Sequence, residues 1–83
     1  MMRCVARNEL VQLLGISVRR LREENGWSQE ELAARAGLHR TYIGAVERGE
    51  RNITLRTLAT LAATFDLSPA ELLAEAEDGR RKR

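Results

Sequence analysis

The chain has 83 residues, 43% of them hydrophobic, which suffices for one small domain around a single core. No apolar run approaches the ~20 residues of a membrane span and the N-terminus lacks the apolar stretch of a secretory signal, so a cytoplasmic protein is expected. The lone Cys4 excludes an intramolecular disulfide, nothing clusters as a metal or cofactor site, and a net charge of +2 does not by itself announce a nucleic-acid partner.

No alternating run of β-branched or aromatic residues is bounded by hairpin turns, so the fold is expected to be all-α, with five helices. Leu10, Leu14, Val18 and Leu21 recur at helical spacing in a first helix from about Asn8 to Asn25, ended by Asn25-Gly26. Ser28 and Glu31 form a capping box that starts helix two near Gln29, and Trp27 just before it is placed to staple onto Leu32. Helix three is expected from about Arg40 to Arg48, stopping at Gly49. After the polar loop GERNIT, Thr54 caps helix four, whose buried face is Leu55, Leu58, Leu61, Ala62 and Phe65. Asp66 breaks that pattern. Ser68-Pro69-Ala70-Glu71 then reads as cap, first-turn proline and capping-box acid of a fifth helix carrying Leu72 and Leu73. Residues 1–78 are expected to form the domain, with 79–83 (GRRKR) a basic disordered tail.

Within this order, Gln29 to Val46 has the pattern of two helices crossing through a tight turn. Ala33 sits where a larger side chain would hold the backbones apart, Gly37 accepts positive φ, and Ile43 and Val46 join Leu32, Ala36 and Leu38 in one buried face. Such a geometry is used mainly to read DNA. Charge is unevenly spread: Arg40, Arg48, Arg51 and Arg56 face only Glu47 and Glu50, while Glu71, Glu75, Glu77 and Asp78 gather near the end. One surface basic and another acidic, or merely mixed solvated faces, both fit that distribution.

The stretch WSQEELAARAGLHRTYIGAVERGERNITLRTLATLAATFDLSPAELL resembles the Cro and cI repressor-like helix-turn-helix domains, the XRE family, and the resemblance as a whole covers Val18 to Leu73. The resemblance implies a five-helix, lambda-repressor-like domain with the helix-turn-helix at about residues 28–48. Within the family, RTYI followed by ERGERNIT looks closest to the controller proteins of restriction-modification systems, small dimeric regulators that bind operators ahead of their own gene and an endonuclease gene. Gly44 and His39 depart from the controller-like pattern, so no operator sequence carries over. Gly44 also costs roughly 1 kcal/mol of helix propensity against alanine.

A helix fits the major groove and its N-terminal side chains reach base edges, which nominates Arg40 and Thr41, then Gly44 and Ala45 one turn on. Ser28, Gln29, Tyr42, Arg48, Asn52 and Thr54 are placed for phosphate contacts; Tyr42 has a core-edge position as its alternative. Resemblance to controller proteins implies that Arg51 reaches a base. Resemblance to phage repressors implies that Glu47 pairs with Arg22, a structural role. His39, without acidic or cysteine partners, fits a helix-capping or phosphate-adjacent position.

The family implies a homodimer on a palindrome of double-stranded DNA, and Phe65, Leu67, Leu72 and Leu73 are the candidate interface. Activation would add a contact with RNA polymerase. An enzyme is not expected: no nucleophile-base set appears, and the adjacent carboxylates Glu30 and Glu31 are explained by helix capping. The competing readings are an antitoxin-like regulator that also binds a protein partner, and the DNA-binding part of a longer repressor. The initial methionine and terminal GRRKR favour a whole protein.

Overall fold

The computed structural model describes residues 7–81; Cys4 therefore lies outside the described residues. They form five helices: α1 (Arg7–Glu24), α2 (Gln29–Ala36), α3 (Arg40–Glu47), α4 (Leu55–Thr64) and α5 (Pro69–Arg81). No strand occurs among them, and no helix is long and apolar enough to cross a membrane. One cluster, Leu14, Val18, Leu32, Ala33, Ile43, Val46, Leu58, Leu61, Ala62 and Leu72, draws on all five helices. α1 lies against both α3 and α5, and α2 against α3 and α4, so the recognition pair is clasped from two sides.

Local chemistry accounts for the helix starts. Ser28 Oγ accepts from the Glu31 N–H at 3.0 Å and Thr54 Oγ1 from the Thr57 N–H at 3.1 Å. At Ser68 the box is reciprocal: Glu71 N–H donates to Ser68 Oγ (3.0 Å) and Ser68 N–H to Glu71 Oε1 (2.8 Å). At Ser28 it is one-sided, because the Glu31 carboxylate turns instead to Arg35, 2.8 Å away and one turn on.

The ends follow one pattern. At α2, Leu38 N–H reaches back to Ala33 O (2.9 Å) across Gly37, whose φ is +68°. At α4, Leu67 N–H reaches Ala62 O (2.8 Å) across Asp66, which takes the same left-handed conformation (φ +63°) with a side chain attached. An L-residue pays for that conformation where glycine does not. Asp66→Gly is therefore expected to raise stability by about 0.5–1 kcal/mol in urea unfolding, and a loss would contradict it.

Three expectations are corrected. Leu55, assigned to the buried face of α4, is 83% exposed. It opens the helix at the rim of a groove of about 200 Å³ lined in part by Leu10, Val11, Leu14, Leu58 and Leu73, and among the described residues no helix covers that end of the apolar stripe. Leu72, assigned to a dimer interface, is fully buried with Ala76 one turn on, so it serves the core of its own chain. The helix expected to give way to a disordered tail at residue 79 continues to Arg81, because a single interior glycine weakens a helix without ending it.

Trp27, half-buried, stacks on Phe65 with ring centroids 5.7 Å apart, and the Arg35 guanidinium lies 4.4 Å from its ring. Phe65 thus spends ring surface inside the chain. Arg20 ties α1 to α5 through Glu75 and also meets Glu24 at 3.0 Å; the hydrogen bond to Glu75 chiefly raises its pKa.

Candidate nucleic-acid interface

The turn after α2 fixes how α3 is presented. Ala33 is buried where the two helices meet, Gly37 reverses the chain, and Ile43 and Val46 face inward with no more than 2% exposure. That rotation leaves Arg40 and Thr41 exposed on the first turn, with Ala45 half-buried one turn beyond Thr41. Among the described residues Arg40 has no ion-pair partner. His39 occupies the position before α3, yet its side chain makes no capping hydrogen bond, so the capping role expected of it is not realised.

Behind α3 a polar network sets its tilt. Arg22 donates from Nε to Glu47 Oε2 (2.6 Å), from Nη2 to Glu47 Oε1 (3.1 Å) and from Nη1 to the Trp27 carbonyl (2.8 Å). Gln29 Nε2 adds a bond to Glu47 Oε1 at 3.0 Å. The Glu47 side chain is 4% exposed and the Arg22 side chain 11%. The hydrogen bond to Glu47 raises the Arg22 pKa above its ordinary value against the opposing effect of desolvation. One carboxylate therefore joins α1, α2 and α3.

The other nominated residues divide into two groups. Gln29 commits its amide N–H to Glu47, and the hydroxyls of Ser28 and Thr54 act as caps, so backbone N–H groups of the first helical turns are what α2 and α4 offer an anion. Arg48, Arg51 and Asn52 are exposed. Arg48 Nε lies 3.1 Å from Glu50 Oε2. Tyr42 packs on the core edge and also carries the Arg51 guanidinium 5.2 Å from its ring centroid, joining two residues that sequence spacing does not connect. Of the acidic residues on α5, Glu71 caps and Glu75 pairs with Arg20, so that charge is partly spent within the fold.

Two features had no sequence signal. Gly15 lies so close to the last turn of α3 that a Cβ there would sit 2.8 Å from the Glu47 carbonyl oxygen and nearer still to that of Val46. The Gln29–Glu47 bond spans 18 positions, beyond any local rule. No group of three or more His, Cys, Asp or Glu residues gathers as a metal site among the described residues.

Comparison with known proteins agrees with this architecture. The chain is 51% identical over 65 residues to control protein C.SmaI of Serratia marcescens, spanning 78% of this chain and 77% of that protein. It is 39% identical over 67 residues to control protein C.BamHI of Bacillus amyloliquefaciens, spanning 80% and 83%. The crystal structure of the restriction-modification controller protein C.AhdI from Aeromonas hydrophila superposes with a TM-score of 0.71 at 47% identity, covering 77% of this chain and 96% of that one. A family model, HTH_3, matches residues 18–72, the span that contains α2, the Gly37 turn and α3. With that match and these relatives, the chain belongs to the XRE-type helix-turn-helix family.

Proposed function

We propose that this protein is a sequence-specific transcriptional regulator that binds a palindromic operator as a homodimer, in the role of a restriction-modification controller. The observation that carries this reading is the outward Arg40, without an ion-pair partner among the described residues, beside Thr41 on a helix clamped from behind by Glu47. The names of the relatives as control proteins support it.

α3 enters the major groove. Arg40 donates two parallel hydrogen bonds to guanine O6 and N7, while the methyl groups of Thr41 and Ala45 pack on thymine methyls. Arg51 reaches a base from its seat on Tyr42. Ser28, Gln29, Asn52 and Thr54 hold phosphates through backbone or side-chain donors, and Arg48 and Tyr42 flank them. A two-fold dimer sets its recognition helices ~34 Å apart, one duplex turn. Leu55 beside the groove under Leu73 offers knob and hole on one face, as a self-complementary contact requires; the partly buried Phe65 and Leu67 remain candidates with Leu73, while Leu72 does not. The regulator works in the cytoplasm, and activation requires a contact with RNA polymerase.

Footprinting on DNA upstream of its own gene tests the reading and is expected to show two-fold symmetric protection. Arg40→Ala should cost about 1–3 kcal/mol of operator affinity and leave nonspecific binding nearly unchanged. Equal losses on both DNAs would reduce Arg40 to a phosphate contact, and absence of a protected site would reject the function.

A further inference from the structure

Gly44 lies mid-helix in α3, where glycine is the poorest helix former short of proline, and it is buried. Its missing side chain has a specific occupant. A Cβ built there would lie 3.1 Å from Arg48 Nη1 and 3.7 Å from Gln29 Oε1. The Arg48 side chain thus folds back one turn along α3 and rests its guanidinium over the bare backbone, beside the start of α2. Glu50 Oε2 meets the same guanidinium at Nε, 3.1 Å away. Gln29 is itself held by Glu47, so the niche has one fixed wall.

We propose that Gly44 is a positioning residue for DNA binding: it makes the niche that places the Arg48 guanidinium beside the first turn of α2, so that both grip one phosphate. This rests on the reading of α3 as the recognition helix. The guanidinium supplies charge and a planar pair of donors, while the α2 terminus supplies free N–H groups. Together they fix how deeply α3 sits in the groove. A methyl group at position 44 meets the far end of a flexible side chain and no backbone, so the helix survives the change and the guanidinium moves.

Gly44→Ala is therefore expected to raise the melting temperature while weakening operator binding about fivefold. The slope of log affinity against log salt should fall by about 0.9 per protomer, the loss of one phosphate contact. Arg48→Ala should lower the slope equally, and the double variant should be no worse than Arg48→Ala alone. Unchanged affinity and slope in Gly44→Ala, or additive losses in the double variant, would overturn the proposal. Failure of the wild-type protein to bind operator DNA would instead strike the reading of α3 on which it rests.

Discussion

Glu47→Gln is expected to lower the melting temperature by roughly 12–40 °C and to weaken operator binding with it. The carboxylate accepts two hydrogen bonds from Arg22 and one from Gln29 in a site where both ionic side chains are nearly out of water. An intact pair of this kind adds little net stability, since desolvation offsets most of the attraction. Removing one partner is another matter. The glutamine keeps one oxygen, which can still accept one Arg22 bond, but it presents an NH₂ to the other Arg22 donor and no charge, so the guanidinium is left with that neutral oxygen and the Trp27 carbonyl. Stranding a charge in this way costs about 3–5 kcal/mol, which in a domain of this size corresponds to the stated shift. Arg22→Met combined with Glu47→Gln should recover much of the stability but little of the DNA affinity, because the tie that sets the tilt of α3 is gone. Thermal melts paired with operator titrations decide it, and an unaltered melting temperature in Glu47→Gln would refute the role given to the pair.

Gly15→Ala should be at least as damaging, and in the direction opposite to helix propensity. In the middle of an exposed helix the change would gain roughly 1 kcal/mol. Here the added methyl would run into the Val46 and Glu47 carbonyl oxygens, backbone atoms that cannot rotate away. α1 and α3 must separate, opening the core around Val18 and Val46, at an expected cost of about 3 kcal/mol or more. Urea unfolding of the purified variant measures this. A gain in stability would show that the two helices are free to part.

The contrast between Gly15 and Gly44 also shows what could be read before the structure. Helix number, order and caps were legible because their signals are local: Ser28, Thr54, Ser68 with Glu71, and the turn at Gly37 lie within a few positions of what they organise. So was the outward setting of Arg40 and Thr41, since Ile43 and Val46 determine which side of α3 turns inward. The Arg22–Glu47 pair came only through resemblance to phage repressors, and its third member, Gln29, was assigned to phosphate instead. The close approach of Gly15 was invisible, because a glycine inside an apolar helix looks the same whether it faces water or a carbonyl. Leu55 and Leu72 exchanged roles for a related reason. Periodicity tells which stripe of a helix is apolar, but not where along its length the neighbouring helix stops.

The stacking of Trp27 on Phe65 has a practical consequence. Because the chain contains a single indole, its tryptophan fluorescence comes from one known place, the junction between the helix-turn-helix and α4. The protein thus carries an intrinsic optical gauge: emission reports whether those two parts remain seated together, with no label attached and no background from a second fluorophore of that kind.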